Sequence, residues 1–185
     1  MRAWHHTYGL PVVISNTCNN YGPNQYPEKL IPVLVRRAVE GKKLPIYGTG
    51  LNVRDWIHVD DHARALVEIL AHGRIGESYN VGARTERTNL EIARLICQTL
   101  DELQPNSPHR PHAQLIEFVT DRPGHDQRYA INPEKVEREL GWRPRISFED
   151  GLRSTVHWYV EHEDWCRQVL AGKSTGERIG LAGGR

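Results

Sequence analysis

Apolar side chains recur at the three- and four-residue spacing of a one-sided helix in four stretches of the chain. The spacing predicts helices over residues 28–39, 60–71, 90–103 and about 147–170. In the second of these helices, the predicted apolar face is formed by Ala63, Leu66, Val67 and Leu70. Side-chain oxygens at a helix start accept hydrogen bonds from backbone N–H groups that have no partner within the helix. The last three of these helices are therefore predicted to be capped by Asp60-Asp61, Asn89 and Ser147, respectively. A further short helix is predicted to end at Gly9, a residue suited to a left-handed stop.

Shorter apolar runs, bounded by glycine or polar residues, predict β-strands. They lie at residues 12–14, 44–47, 53–59, 78–81 and 115–119. The runs at 44–47 and 53–59 flank Gly48-Thr49-Gly50 and are predicted to pair as a hairpin. Strands that alternate with helices in this way indicate an α/β protein.

The composition narrows the possible partners and the compartment. With 24 basic and 23 acidic side chains, the chain has no net field to attract nucleic acid or an anionic membrane, and neither is expected as a partner. Three widely spaced cysteines favour a reducing compartment. The sequence has no signal-peptide core and no apolar run of about 18 residues, so a cytoplasmic location is predicted.

The first predicted strand runs into a dense group of side-chain amides. Val12-Val13-Ile14 leads to Asn16, Asn19 and Asn20, and the segment closes at Gly22-Pro23. Ligands of open α/β sheets bind where strands end, and an amide offers both donors and an acceptor without a charge to desolvate. This turn is therefore the first candidate binding site.

Six motifs spread along the chain resemble one protein family. They are Asn19-Asn20-Tyr21-Gly22-Pro23, Pro27-Glu28-Lys29-Leu30-Ile31-Pro32, Leu44-Pro45-Ile46-Tyr47-Gly48, Arg54-Asp55-Trp56, Tyr79-Asn80-Val81-Gly82 and Asp121-Arg122-Pro123-Gly124-His125-Asp126. In this order they resemble the nucleotide-sugar-modifying branch of the extended short-chain dehydrogenase/reductases, the NAD-dependent epimerase/dehydratase family. The resemblance implies an α/β fold that combines a remnant of the Rossmann sheet with a small mixed α/β substrate-binding domain.

The resemblance also implies a domain division. Residues 1–24 and about 54–73 are assigned to the remnant of the NAD-binding domain, about 25–53 and 74–170 to the nucleotide-sugar domain, and 171–185 to a glycine-rich tail. The sequence contains neither a Gly-x-Gly-x-x-Gly motif nor a Tyr-x-x-x-Lys pair. In the family both motifs lie upstream, so the chain is expected to be a C-terminal part without catalytic residues. Apolar surface is then expected to be exposed around residues 12–14 and Leu66-Val67.

Residues for binding a nucleotide-sugar and NAD are implied by the same resemblance. Arg54 and Arg122 are expected to contact phosphate, because a guanidinium can hold its oxygens bidentately. Asn19 is expected to contact the diphosphate and Asn20 the nicotinamide of NAD. The other implied substrate-binding residues are Glu28, Lys29, Leu30, Pro45, Ile46, Tyr47, Asn89, Asp121, Pro123, Gly124 and His125. The structural alternatives are an ion pair for Arg54, an Asx turn for Asn19-Asn20, core packing for Tyr47, a helix cap for Asn89 and a solvated turn for residues 121–126.

The activity implied by the resemblance is that of a lyase, in which NAD serves as a hydride shuttle while water leaves the sugar. A sister 4-epimerase, a UDP-glucuronate decarboxylase and a non-catalytic protein that binds sugar nucleotides remain alternatives. The family implies a homodimer. A metal could be considered at His58 to His62, or at His109 with His112, but the carboxylates there are predicted as helix caps, and no metal is expected.

Overall fold

The computed structural model describes residues 1–171, and the predicted tail beyond Ala171 lies outside the described residues. The chain divides into two compact units. The first unit contains residues Met1–Gly22, Val53–Arg87 and Arg128–Gly151, and the second contains Pro23–Asn52, Thr88–Gln127 and the chain from Leu152. Residues 74–87 and 128–151 thus group with the first unit, although the predicted division assigned them to the nucleotide-sugar domain. The roles of the two units stay a prediction.

The first unit contains two sheets. β1 (Ile14–Thr17) pairs in parallel with β5 (Ser78–Val81). β4 (Val53–His58) pairs with three strands: β2 (Asn19–Tyr21), β6 (Glu86–Thr88), whose last residue belongs to the second unit, and β8 (Arg128–Tyr129). Parallel strands are usually buried on both faces, and β4 follows this rule, since the five residues after Val53 are all buried.

The first unit also contains helical segments. They are α1 (Arg2–Tyr8), α3 (Val59–His72), α5 (Glu134–Leu140) and the first turn of α6 (Phe148–Glu161). The predicted stop of α1 is confirmed, because Gly9 takes a left-handed φ of 68°. The core between helices and strands is formed by Cys18, Ile57, Ala65, Ile69, Tyr79, Val81, Val136 and Trp142.

Two features of α3 differ from the prediction. The cap is His58, whose Nδ1 accepts the Asp60 N–H at 3.3 Å, so Asp60 and Asp61 lie within the first turn. The buried face contains Asp61, Ala65 and Ile69. The predicted apolar face, made of Ala63, Leu66, Val67 and Leu70, is exposed instead, and we call it the α3 apolar stripe. The expected exposure of Leu66-Val67 is therefore confirmed, while residues 12–14 are half-buried.

The second unit is built on two packed helices, α2 (Leu30–Val39) and α4 (Asn89–Leu103). β3 (Leu44–Tyr47) pairs in parallel with β7 (Ile116–Val119), which follows a short 3-10 helix at His112–Leu115. The rest of α6 and α7 (Glu163–Ala171) complete the unit. Its core is formed by Ile31, Leu34, Val35, Ala38, Leu44, Ile46, Ile92, Ala93, Ile96, Cys97 and Leu100.

Three predictions for this part of the chain are wrong. The hairpin does not form, because β3 has its parallel partner in β7 while β4 belongs to the first unit. Thr88, not Asn89, caps α4: its Oγ accepts the Glu91 N–H at 3.1 Å, and the Glu91 carboxylate accepts the Thr88 N–H at 2.7 Å. The last predicted helix is interrupted by a turn at His162, which separates α6 from α7. No helix within residues 1–171 is both long enough and apolar enough to cross a membrane.

Candidate functional site

The amide of Asn20, which lies on β2 and not in a turn, is held firmly. Its Nδ2 donates to Thr17 Oγ1 at 3.2 Å and to the Cys18 carbonyl at 3.1 Å, and its Oδ1 lies 2.8 Å from Nδ1 of His62. Burial lowers the pKa of His62, which favours the neutral ring. Because Asn20 Oδ1 is a hydrogen-bond acceptor, the proton of the neutral ring is assigned to Nδ1. No local pattern indicates that His62 supports Asn20, because the two residues lie 42 positions apart in the sequence. The orientation of the Asn20 amide is therefore set by the protein itself.

Asn19 and Arg54 lie on the neighbouring strands β2 and β4. Asn19 is half-buried and stands opposite Trp56 in the ladder. Arg54 is only 9% exposed, and its Nη1 donates to the Val53 carbonyl at 2.7 Å. A guanidinium held in a largely water-excluded position interacts more strongly with an anion than one in bulk water. Arg54 therefore has the environment of an anion-binding residue.

A buried thiol and carboxylate lie beside these residues. Asp55 accepts the Thr85 N–H at 2.8 Å, and it is fully buried. Burial raises the pKa of Asp55, and burial together with the charge of Asp55 raises the pKa of the Cys18 thiol to about 12. Because the thiolate is the reactive form of cysteine, the raised pKa disfavours a nucleophilic role for Cys18.

In the second unit, the loop of residues 121–126 is closed by an internal clasp. Asp121 Oδ1 accepts from Nδ1 of His125 at 2.7 Å and from the Arg122 N–H at 2.8 Å. The hydrogen bond from His125, aided by the positive charges of His125 and Arg122, lowers the pKa of Asp121. The clasp leaves Arg122, Pro123 and Gly124 exposed at the tip of the loop.

The same loop is fastened to the turn between β3 and β4. The His125 ring meets Tyr47 edge-on, with centroids 6.4 Å apart. Gly48 lies so close to Asp121 that a Cβ there would be 3.1 Å from Oδ2. Asn52 Nδ2 donates to the Asp126 carbonyl at 3.2 Å. The structure thus brings Tyr47, Asp121 and His125 together, and it adds Asn52, which belongs to none of the six motifs.

The other predicted substrate residues of this unit have more varied settings. Pro45 and Tyr47 are half-buried, whereas Ile46 is buried beneath Gly50, so Ile46 could offer a ligand only its backbone. Glu28 and Lys29 form an ion pair with each other at 3.2 Å, and Leu30 is the first residue of α2. Asn89, also buried, is the first residue of α4, and its N–H donates to the Asn52 carbonyl at 3.1 Å.

The side chains considered for a metal have other partners. Asp61 accepts the N–H groups of Arg145 and Ile146, each at 3.0 Å, and His112 is bonded to Asp101. Within residues 1–171, no group of three or more histidine, cysteine, aspartate or glutamate side chains is arranged to hold a metal ion.

Solved structures with the same fold define the class of protein. A dTDP-glucose 4,6-dehydratase from Bacillus anthracis, in complex with NAD, matches 91% of this chain and 50% of its own at 49% identity, with a TM-score of 0.79. The enzyme of that name from Streptomyces venezuelae, also with NAD bound, matches at 46% identity and a TM-score of 0.81, over 91% of this chain and 49% of its own. A UDP-glucose 4-epimerase from Thermotoga maritima matches at 26% identity with a TM-score of 0.73, over 86% of this chain and 49% of its own. The fold is that of the C-terminal part of a Rossmann-type extended short-chain dehydrogenase/reductase.

Sequence comparison then identifies the family. Residues 1–155 match the model of the GDP-mannose 4,6 dehydratase family, and the chain belongs to this family. It is 49% identical over 183 residues to a dTDP-glucose 4,6-dehydratase of Escherichia coli, covering 98% of this chain and 51% of that protein. It is 55% identical over 179 residues to a probable dTDP-glucose 4,6-dehydratase of Sinorhizobium fredii, covering 97% of this chain and 51% of that protein. The chain spans about half the length of the curated relatives it matches.

Proposed function

We propose that this chain is the sugar-nucleotide-binding part of a dTDP-glucose 4,6-dehydratase, a lyase that converts dTDP-glucose into dTDP-4-keto-6-deoxyglucose and water. The observation that carries the proposal is the identity of 49% and 55% to dTDP-glucose 4,6-dehydratases over nearly the whole chain. The UDP-glucose 4-epimerase, which shares the fold, is only 26% identical. The similarity therefore favours the dehydratase over the sister epimerase.

Arg54 and Asn19 are the proposed diphosphate contacts of the first unit. Arg54 is buried to 9% exposure, so little water would compete with phosphate oxygens for its guanidinium. A hydrogen bond to a charged group contributes about 1.5–3 kcal/mol. Losing one such contact would weaken binding roughly 10- to 100-fold, because about 1.4 kcal/mol corresponds to a factor of ten.

Arg122 and Tyr47 are the proposed main contacts of the second unit, Arg122 to phosphate and Tyr47 to the base. Arg122 is exposed, but the Asp121–His125 clasp and the Asn52–Asp126 bond hold the loop that carries it. A ligand would then bind a loop that is already ordered, which reduces the entropy cost of binding. Asn89 lies at the N-terminal end of α4, where the helix dipole favours an anion.

NAD, when bound, would supply the hydride shuttle of the reaction. Asn20, on β2, fits a polar ligand, because the side chains of Thr17 and His62 and the Cys18 carbonyl fix the orientation of its amide. Asn20 would therefore present a fixed polar surface to the nicotinamide. His62 would act indirectly, by holding Asn20.

A protein that only binds the sugar nucleotide is the second candidate. Turnover separates it from the dehydratase, whereas nucleotide binding alone does not. The product separates the dehydratase from an epimerase, because only the dehydratase forms a 4-keto-6-deoxy sugar.

The experiment combines turnover with ligand-induced stabilisation. The purified chain is incubated with dTDP-glucose and NAD, the 4-keto sugar is read from its absorbance in alkali, and the melting temperature is recorded with dTDP, UDP and GDP. We expect dTDP to raise the melting temperature most, and we expect Arg54→Ala to weaken dTDP binding roughly 10- to 100-fold. Arg138→Ala is the matched control, since Arg138 is an exposed arginine of the same unit that pairs with Glu134 at 3.9 Å.

The outcomes distinguish the candidates. Turnover of dTDP-glucose that Arg54→Ala reduces would support a catalytically complete dehydratase, and stabilisation by dTDP without turnover would support the binding part alone. A larger effect of UDP or GDP, or an equal loss of affinity in Arg54→Ala and Arg138→Ala, would overturn the proposed nucleotide or the proposed role of Arg54.

A further inference from the structure

A serine, a histidine and a carboxylate lie in series at the C-terminal end of α4. Asp101 belongs to the last turn of the helix, Ser107 lies in the loop that follows, and His112 begins the 3-10 helix. The His112 side chain is completely buried. Its Nδ1 lies 2.6 Å from Asp101 Oδ1, and its Nε2 lies 3.4 Å from Ser107 Oγ.

The hydrogen bonds define what each group can do. Burial alone would raise the pKa of Asp101, but the hydrogen bonds from the backbone and ring of His112 outweigh it and lower that pKa, so the carboxylate is ionised. An ionised Asp101 holds the imidazole proton on Nδ1 and leaves the Nε2 lone pair directed to Ser107. Ser107 Oγ accepts the His109 N–H at 3.3 Å, so its own hydrogen can be donated to Nε2. This is the order of nucleophile, base and orienting group found in activated serines.

Ser107 also borders a depression that could receive a small substrate. The depression has a volume of about 400 Å³. Its lining residues are Val39, Gln104, Pro105, Asn106, Ser107, Pro108 and His109. The volume lies at the small end of the range for ligand pockets, which suits an ester with a short acyl chain.

We propose that Ser107 is an activated nucleophile that reacts with small activated esters, with His112 as its general base and Asp101 as a positioning residue. Ser107 Oγ would attack the ester carbonyl while its proton passes to His112 Nε2. The proton would then leave with the alcohol, giving an acyl-serine. Water, deprotonated by His112, would release the acid and restore the serine, so the net reaction is ester plus water to acid plus alcohol.

The site is independent of the proposed nucleotide-sugar function. All of its residues belong to the second unit, and none is among the predicted substrate or NAD contacts. The same hydrogen bonds also tie the loop of residues 104–111 to α4. A purely structural clasp would keep these bonds without making Ser107 reactive, and the experiment separates the two roles.

The test is covalent labelling of the full 185-residue chain with a fluorophosphonate, followed by peptide mapping of the adduct. We expect the label on Ser107 and its loss in Ser107→Ala. Ser154→Ala, which removes an exposed serine of α6, should label as the unmodified chain does. Release of p-nitrophenolate from p-nitrophenyl acetate should fall in parallel with the labelling.

Asp101→Asn tests the positioning role. We expect labelling to slow by about 100-fold or more, because a His112 ring that is no longer held by Asp101 loses the usual contribution of a general base. The ¹⁵N spectrum of the histidine rings should show His112 leaving the Nδ1–H tautomer. Melting temperatures would show whether each variant is folded. No adduct on Ser107 of the folded chain, an adduct on another residue only, or unchanged labelling in folded Asp101→Asn would overturn the proposal.

Discussion

Asp61 is a buried residue whose removal should strongly reduce the stability of the first unit. Its Oδ2 accepts two backbone N–H groups, those of Arg145 and Ile146, each at 3.0 Å, and its Oδ1 pairs with Arg64. The side chain is 1% exposed, so water cannot replace it. Asp61→Ala would leave both N–H groups unsatisfied, at about 1–3 kcal/mol each. We expect the free energy of unfolding to fall by about 2–6 kcal/mol, a large part of the roughly 5–15 kcal/mol of a typical domain.

The neighbouring carboxylate provides the control. Asp60 occupies the same turn of α3 and carries the same charge, but its side chain is 75% exposed. Asp60→Ala should cost about 0.3–1 kcal/mol, the usual contribution of an acidic residue at a helix start. Urea unfolding, followed by circular dichroism, measures both variants. Equal losses for Asp60→Ala and Asp61→Ala would refute the argument that the buried hydrogen bonds, and not the helix dipole, account for the effect.

Three further predictions follow from other sites. Burial raises the pKa of Asp55, so the folded state keeps a proton that the unfolded chain releases, and this stabilisation is lost as pH rises through the folded pKa. As pH rises above about 4, the ordinary pKa of an aspartate, the melting temperature of the chain should therefore fall relative to that of Asp55→Asn, and parallel profiles would contradict this. Leu70 on the α3 apolar stripe is 82% exposed, so Leu70→Lys should reduce self-association, measured by light scattering, without lowering the melting temperature. Equal light scattering from the variant and the unmodified chain would argue against the stripe as the surface through which copies of the chain associate. Gly48 has a φ of 56° and lies against Asp121, so Gly48→Ala should loosen the loop of residues 121–126 and weaken dTDP binding. Gly124 also has a positive φ, but a Cβ there would have no neighbour within 4 Å, so Gly124→Ala should not displace the loop.

Local patterns predicted the elements well where a helix supplies its own signals. The apolar spacing of residues 90–103 and the stop at Gly9 both match the structure closely. The cap of α4 was misplaced by one residue, because Thr88 and Asn89 are both good caps and only the reciprocal bond with Glu91 decides between them. For α3, apolar spacing alone could not show that the buried face contains Asp61, whose carboxylate is satisfied by residues 145 and 146.

Non-local pairing was beyond the reach of local patterns. β3 and β4 are separated by one short turn, yet β3 pairs with β7, about 70 residues further along the chain. The candidate site shows the same limit. The motifs pointed to Asn20, Asp121 and His125, but the partner of Asn20 on α3 depends on how distant segments fold together.

The central position of β4 has a consequence for the order in which the protein can form. Its partner β2 is synthesised first, but β8, at Arg128–Tyr129, is synthesised about 75 residues after Val53. At usual rates of synthesis, the interval from Val53 to Arg128 takes roughly 4–15 s. During that time one edge of β4 lacks its final partner, which is a known route to aggregation. The yield of folded protein in a cell should therefore depend on chaperones that bind nascent chains. Slower translation of the segment between β6 and β8 should lower this yield.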